Sequence, residues 1–135
     1  TYTRDSISID KIVSDFLKLA NSFLQDSGKT LQFDDNGDLV YLVGDELIPR
    51  DISTLSSGEI QLIVIFAHLY FNPETQKANV FIIDEPELSL HVQWQQKFVA
   101  ALMKASQSTQ FLMATHSPTV LVGRVKQCIE ISTQK

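Results

Sequence analysis

Residues 80 to 87 read Val-Phe-Ile-Ile-Asp-Glu-Pro-Glu, and they are the most informative stretch of the chain. A short apolar run of this kind is typical of a strand that is buried on both faces of a parallel sheet. Asp84 and Glu85 follow at its C-terminal end, which is where open α/β sheets bind their ligands. One carboxylate can ligate a hard cation and the other can act as a base toward water. The pair therefore predicts a site for Mg²⁺ and a nucleotide, and the alternative is a solvated strand end, which often carries acidic residues by chance.

Helices and strands alternate along the chain beyond residue 57. The apolar patterns predict a buried helix over residues 57–71, a helix over 91–106 and a second buried strand over 110–114. A short helix from Pro118 and a last strand over 127–131 are expected to follow. This alternation predicts an α/β fold with a layered parallel sheet.

The first third of the chain has a different character. A helical stripe over residues 5–25 predicts a helix, and Gly28 suits the position just past its end. Asn36-Gly37 lies between apolar runs and predicts a hairpin, so residues 31–48 are expected to form a small antiparallel meander. The predicted organisation is an N-terminal helical segment, residues 1–30, followed by an α/β lobe, residues 31–135.

Composition and charge exclude several classes of function. The chain has 135 residues, the size of one domain. Its net charge of −5 argues against nucleic-acid binding by this segment. No apolar run approaches the roughly 18 residues of a membrane span. The single cysteine, Cys128, excludes an intramolecular disulfide and fits a reducing compartment such as the cytoplasm. We expect a buried thiol there. Trp94 either anchors a partner or packs within the domain.

Four short motifs occur in a fixed order. Leu55-Ser-Ser-Gly-Glu59 opens the predicted helix at 57–71, where free backbone N–H groups form an anion site. The alternative there is a plain serine N-cap with a glutamate in the first turn. The strand end at Asp84-Glu85 comes second, and the loop Pro86-Glu-Leu-Ser-Leu-His91 third. The fourth is Thr115-His-Ser-Pro118, which places His116 at the same sheet edge as the two acids, where a phosphate could lie.

In this order the motifs resemble the C-terminal half of an ABC-type ATPase head. The similarity is to the SMC, RecF and OLD-like ATPases, including those of Septu and retron-associated defence systems, and it covers roughly residues 31–131. Transporter subunits usually show Leu-Ser-Gly-Gly-Gln and Ser-Ala-Leu-Asp at the corresponding places, and this chain does not. The resemblance implies the C-terminal lobe of a P-loop NTPase fold, and ATP hydrolysis by the complete domain.

The resemblance also implies a role for each matching residue. Asp84 would hold Mg²⁺, Glu85 would orient and polarise the attacking water, and His116 would contact the γ-phosphate of ATP. A second group would bind the γ-phosphate of an ATP held by a second subunit, and Ser89 would cross the interface between the subunits. That second group comprises Ser56, Ser57, Gly58 and Glu59.

The implied partners follow from the same resemblance. They are a second ATPase subunit, in a homodimer or a higher oligomer, an N-terminal lobe that carries the phosphate loop, and an effector nuclease or toxin in DNA repair or anti-phage defence. Gly28-Lys29-Thr30 is not that phosphate loop, because Phe23 stands where the loop needs a glycine and a predicted helix precedes it. DNA, if bound, would not be bound by this acidic segment. The alternatives are an ATP-sensing scaffold without hydrolysis and a transporter nucleotide-binding subunit.

Overall fold

A computed structural model describes residues 2–72, 80–86, 90–106, 109–120, 123 and 125–129. Three α-helices and five strands lie within these ranges. In chain order they are α1 (Tyr2–Leu24), β1 (Lys29–Phe33), β2 (Leu39–Val43), β3 (Arg50–Asp51), α2 (Ser57–Phe71), β4 (Val80–Asp84), α3 (Val92–Ala105) and β5 (Gln110–Ala114). Short 3₁₀ helices lie at Gln25–Ser27, Ile52–Thr54 and Val125–Gln127.

The N-terminal strands form an antiparallel sheet in the order β1-β2-β3, which confirms the meander. Gly28 has a φ of 69° and ends the helical segment before β1, as predicted. The third strand lies later than expected. Its residues are Arg50–Asp51, whereas Leu47 and Ile48 are 91% and 79% exposed. The N–H of Glu46 donates back to the carbonyl of Val43 in a turn, and Pro49 has no N–H to offer to a ladder, so pairing resumes only after the proline.

The core is a single hydrophobic cluster between α1, α2, α3 and the strands. Helix α2 is apolar on nearly all sides, and its side chains at Leu62 and Phe66 are completely buried. The Phe23 ring of α1 meets Phe66 at 5.5 Å and Trp94 at 5.8 Å between ring centroids. Trp94 is 2% exposed, so it packs within the domain and is not a partner anchor.

Strands β4 and β5 pair in parallel, with Asp84 opposite Ala114, and α3 connects them. This confirms the predicted parallel pairing. Within the described residues β4 is buried on one face only, and not on both as predicted. Ile83 faces the core, but one face of the pair exposes apolar side chains: Val80 (54%), Ile82 (72%) and Leu112 (48%). Among the described residues no layer covers this outer face. Burial along β4 therefore alternates from one residue to the next, as in a sheet with one open face.

The C-terminal segment departs from the prediction. Residues 118–120 form a turn where a short helix was expected to begin, and Val125–Gln127 is a 3₁₀ helix that includes the first residue of the predicted last strand. The rest of the predicted helix and strand lies partly outside the described residues. Cys128 follows that helix and is exposed, so the predicted buried thiol is wrong. Ile129, the next residue, is also exposed (89%). In the described ranges no helix combines the length and apolarity that crossing a membrane requires.

Candidate functional site: the carboxyl edge of the parallel sheet

The two acids and the histidine lie at one edge of the parallel sheet. Asp84 is the last residue of β4 and is exposed, and Glu85 follows it directly. The partner strand β5 ends at Ala114, and His116 stands two residues beyond it. Because the strands are parallel and in register at their ends, both turns leave the sheet on the same side. The predicted juxtaposition of these side chains is therefore present.

Glu85 adopts an unusual backbone conformation. Its φ is 47°, in the left-handed region that side chains with a Cβ enter at a cost of roughly 1 to 2 kcal/mol. Its N–H donates to the carbonyl of Ala114 at 2.7 Å, so the hydrogen bond to β5 persists while the chain turns away toward the buried Pro86. Such conformations are concentrated at functional sites, where the surrounding structure holds them. Here the conformation directs the Glu85 side chain toward the loop after β5.

Glu85 and His116 approach each other closely. His116 Nε2 lies 3.5 Å from Glu85 Oε1, and the side chains are 89% and 37% exposed, respectively. A carboxylate and an imidazole at this separation can share a water or a proton, and both remain accessible to a ligand from solvent. Two polar side chains that meet at the end of a parallel pair of strands could both contact a ligand bound at this edge.

The donor set at this edge suits a magnesium ion bound together with phosphates. Mg²⁺ retains several waters and takes only one or two protein carboxylates when a nucleotide supplies its other ligands. Asp84 offers such a carboxylate at an open strand end. The described residues contain no cluster of three or more histidine, cysteine, aspartate or glutamate side chains that could hold a metal ion without a ligand. Asp84 could therefore supply one carboxylate to a Mg²⁺ ion whose other ligands are waters and phosphates.

The second predicted group of residues lies at the N-terminus of α2. Ser56 is the N-cap, and its Oγ accepts from the N–H of Glu59 at 3.3 Å. Glu59 Oε1 in turn accepts from the N–H of Ser56 at 3.0 Å, which completes a capping box. Ser57 is exposed, and Gly58 is buried. The first N–H groups of a helix have no acceptor within it, so this terminus can bind an anion.

Glu59 is buried and bound to a lysine from the antiparallel sheet. Lys29 Nζ donates to both carboxylate oxygens, at 2.8 and 3.1 Å, and the Glu59 side chain is only 4% exposed. Burial opposes its ionisation and is the largest single influence, but the hydrogen bonds from Lys29 and Ser56 together outweigh it. The pKa of Glu59 is therefore lowered. Lys29 lies in β1, which confirms that Gly28-Lys29-Thr30 does not form a phosphate loop between a strand and a helix.

A second contact ties the antiparallel sheet to the approach of α2. Tyr41 in β2 is 2% exposed, and its hydroxyl lies 2.6 Å from Thr54 Oγ1. Thr54 ends the 3₁₀ helix that precedes Leu55, and Lys29 Nζ lies 5.8 Å from the centre of the Tyr41 ring. The segment that enters α2 is thus held at two points, Thr54 and Glu59, by neighbouring strands.

A glutamine links the segment after β5 to Leu90. Gln95 of α3 is 8% exposed. Its Oε1 accepts from Ser117 Oγ at 2.6 Å, and its Nε2 donates to the carbonyl of Leu90 at 2.8 Å. Ser117 directly follows His116, and its N–H donates to Thr115 Oγ1 at 3.0 Å. The loop that carries His116 is therefore fixed to the helix that follows β4.

The sequence-based prediction missed Lys29, Tyr41 and Gln95 as site residues. Lys29 and Glu59 are thirty positions apart, and no local spacing connects them. Gln95 did give a signal, because it lies three and seven positions before the buried Phe98 and Leu102, on an apolar helical stripe. The prediction for Ser89 lies outside the described residues.

This site lies on a fold shared with SMC ATPase heads. The chain superimposes on the SMC head domain from Thermotoga maritima with a TM-score of 0.58 and 20% identity, over 87% of this chain and 43% of that one. It also matches an SMC head bound to the C-terminal winged-helix domain of ScpA, with a TM-score of 0.61 and 15% identity, over 82% of this chain and 36% of that one. The chain therefore has the fold of SMC-type ATPase heads, which is a P-loop NTPase fold.

The chain belongs to the family described as "AAA domain, putative AbiEii toxin, Type IV TA system", whose model matches residues 4–122. Two relatives are named "Retron Vc95 probable ATPase", from Vibrio cholerae serotype O1 biovar El Tor, and "Retron Ec83 probable ATPase", from Escherichia coli. The first is 34% identical over 89 residues, which is 59% of this chain and 17% of the relative. The second is 30% identical over 82 residues, 54% of this chain and 15% of the relative. The chain thus spans less than a fifth of either relative.

Proposed function

We propose that this chain forms part of an ATP-hydrolysing head in which two subunits enclose ATP between them. The observation that carries the proposal is the meeting of Glu85 and His116, 3.5 Å apart, at the carboxyl edge of parallel strands. Each residue comes from a different strand, and Asp84 precedes the first of them. Phosphoryl transfer to water needs this kind of positioning more than it needs covalent chemistry.

Each residue has a role in the proposal. Glu85 accepts a proton from the attacking water and orients it, and His116 donates a hydrogen bond to the γ-phosphate. Asp84 would hold Mg²⁺, which supplies neutralisation of phosphate charge when it is bound. The strained backbone at Glu85 supports its assignment, because the 47° value of φ fixes the direction of the carboxylate.

The N-terminus of α2 is proposed to read the nucleotide of the second subunit. Ser57 is exposed there, and the backbone N–H groups of the first turn can bind a γ-phosphate. The buried Glu59 acts through Ser56, since its carboxylate holds the cap and not the ligand. Ser89 is proposed to cross the interface. A phosphate bound by both subunits makes ATP the link between them, and its hydrolysis releases that link.

The exposed apolar face of the parallel sheet supports a further partner. Val80, Ile82 and Leu112 together present an apolar surface of the kind that proteins cover. We propose that an N-terminal lobe, which carries the phosphate loop, packs on this face and completes the nucleotide site. The share of the curated relatives that the chain spans, 17% and 15%, is consistent with such additional structure in those proteins.

The biological setting is proposed from the relatives. Two of them are named retron ATPases, and the family description mentions a toxin. A structural neighbour comes from work on "ATP-driven dimerization and DNA stimulated activation of SMC ATPases", and it matches with a TM-score of 0.58 and 16% identity over 90% of this chain and 76% of that one. These names support a cytoplasmic defence or DNA-repair ATPase that controls an effector nuclease or toxin.

The test is ATP turnover and solution mass of the complete gene product, with and without ATP and Mg²⁺. Glu85→Gln should abolish turnover and retain an ATP-dependent assembly, because the amide binds a water but cannot accept its proton. Glu46→Gln makes the same change at a side chain that is 50% exposed on the antiparallel sheet's connecting loop, and should leave turnover unchanged. Wild-type turnover in Glu85→Gln would contradict the assignment. Assembly without turnover in any form would favour an ATP-sensing scaffold.

A further inference from the structure

Gln95 is a buried polar residue in an apolar setting. It is 8% exposed, beside Trp94 at 2%, and it precedes the completely buried Phe98 by one turn of α3. A buried amide without hydrogen bonds costs about 1 to 3 kcal/mol, and an aliphatic side chain would fill the same space without that risk. The presence of glutamine on this face therefore calls for an explanation beyond packing.

Both ends of the amide are bound, and they are bound to different loops. Ser117 Oγ donates to Oε1 at 2.6 Å, and Nε2 donates to the carbonyl of Leu90 at 2.8 Å. Leu90 is itself buried, and it lies on the connection that leaves Glu85. Ser117 lies on the connection that leaves β5 and follows His116 directly. One side chain thus joins Ser117, which directly follows His116, to Leu90, which follows Glu85 by five positions in the sequence.

We infer that Gln95 is a positioning residue that couples the placement of His116 to the segment at Leu90. The inference rests on the proposed function, and it adds a residue that acts through Ser117. Ser117 also binds Thr115 Oγ1 through its N–H, so the contact with Gln95 reaches the backbone on both sides of His116. If a bound γ-phosphate displaces His116, Ser117 moves with it, and the hydrogen bonds of Gln95 transmit that displacement to Leu90.

Four variants distinguish this coupling from a general loss of stability. Gln95→Leu removes both hydrogen bonds at similar volume. Ser117→Ala removes only the link to the His116 loop, and Ser117→Thr keeps the hydroxyl. Gln96→Leu is the matched control, because Gln96 is exposed on the same helix. The complete gene product of each variant is compared by kcat and KM for ATP, and by amide hydrogen exchange at residues 114–118 and at Leu90.

We expect Gln95→Leu and Ser117→Ala to lower kcat about tenfold or more, with a smaller change in KM, because the loop bearing His116 loses its fixed position. Amide exchange should become faster in both loops in both variants. Ser117→Thr should restore kcat and slow exchange, and Gln96→Leu should match the wild type. Ser117→Ala tests the inference even if Gln95→Leu fails to fold.

Three results would overturn the inference. One is an unchanged kcat in both Gln95→Leu and Ser117→Ala. Another is the same loss of kcat in Gln96→Leu. The third is a Ser117→Ala variant in which exchange at Leu90 stays at the wild-type rate, because the two loops would then move independently. A wild-type protein that hydrolyses no ATP would instead contradict the proposed function, and the exchange rates would still decide whether Gln95 couples the loops.

Discussion

Lys29 Nζ lies 2.8 Å from Glu59 Oε1 and 3.1 Å from Oε2, and this pair joins strand β1 to the first turn of helix α2. Glu59 uses the same Oε1 to accept the N–H of Ser56, the N-cap of the helix. Lys29 therefore fixes the position of the Glu59 carboxylate, and that carboxylate binds the N-cap residue of the helix. The antiparallel sheet, which has no part in the chemistry proposed here, fixes the helix terminus that is proposed to read the second subunit's nucleotide.

Lys29→Met is expected to destabilise the protein by about 1 to 3 kcal/mol, because it leaves a buried carboxylate without its charged donor. Urea denaturation measures the change in the free energy of unfolding. Lys18→Met is the control, since Lys18 is exposed on α1 and its loss should change stability by no more than about 0.5 kcal/mol. The double variant Lys29→Met/Glu59→Gln should recover part of the loss. Equal effects of Lys29→Met and Lys18→Met would show that the pair contributes nothing specific.

Stability should also depend on pH through Glu59. Its pKa in the folded protein lies below the ordinary value of 4.5, so the folded state binds the proton less tightly than the unfolded chain does. The contribution to stability is therefore complete above pH 4.5 and is lost as the pH falls below it. The free energy of unfolding of the wild type should exceed that of Glu59→Gln most at neutral pH, and the difference should narrow in acid. A difference that stays constant from neutral pH into acid would contradict the lowered pKa.

The sequence predicted the residues at the carboxyl edge of the parallel strands better than the contacts that hold the site in place. Strands that end in Asp84-Glu85 and precede His116 have to bring those residues together once they are parallel and adjacent, so a local pattern was sufficient. Lys29 and Glu59 meet only because β1 packs beside α2, which no spacing encodes. The exposure of Ile82 and Cys128 was missed for a related reason. An apolar run indicates that a surface is suited to burial, but not whether the described chain supplies the cover.

The backbone at Glu85 predicts opposite effects of glycine on stability and activity. At a φ of 47° glycine is free of the steric penalty that a Cβ carries, so Glu85→Gly should be more stable than Glu85→Ala by about 1 kcal/mol. Neither variant retains a carboxylate, and both should lose ATP turnover. Thermal or urea unfolding of the two variants, beside turnover assays, provides the comparison. If alanine is as stable as glycine at this position, the left-handed conformation is not a source of strain.

Ser57→Arg should prevent ATP-dependent assembly of the complete gene product. Ser57 is exposed in the first turn of α2, so an arginine there is tolerated by the fold but occupies the space in front of the N–H groups proposed to bind the γ-phosphate. Solution mass with and without ATP and Mg²⁺ measures the effect. Ser14→Arg adds the same side chain at an exposed position of α1 and should assemble as the wild type does. Normal assembly of Ser57→Arg would exclude this helix terminus from the subunit interface.

Asn21 provides a test of how α1 protects the antiparallel sheet. Its Nδ2 donates to the carbonyl of Leu31 at 3.0 Å, and its Oδ1 accepts from the N–H of Leu31 at 2.7 Å, so the side chain takes the place of a neighbouring strand beside β1. Leu31 is 1% exposed, so water cannot replace these bonds without local opening. Asn21→Leu should therefore destabilise the protein by about 1 to 3 kcal/mol and accelerate hydrogen exchange at the Leu31 amide.

The partner variant Asn21→Asp separates the two bonds. Aspartate keeps an acceptor for the Leu31 N–H but places a second oxygen against the Leu31 carbonyl, where the amide donated before. It should lose stability while the Leu31 amide stays more protected than in Asn21→Leu. Gln93→Leu, at an exposed position of α3, controls for the added apolar surface and should leave exchange at Leu31 unchanged. If Asn21→Leu also leaves that exchange unchanged, packing of α1 alone protects the strand, and the side-chain amide is dispensable.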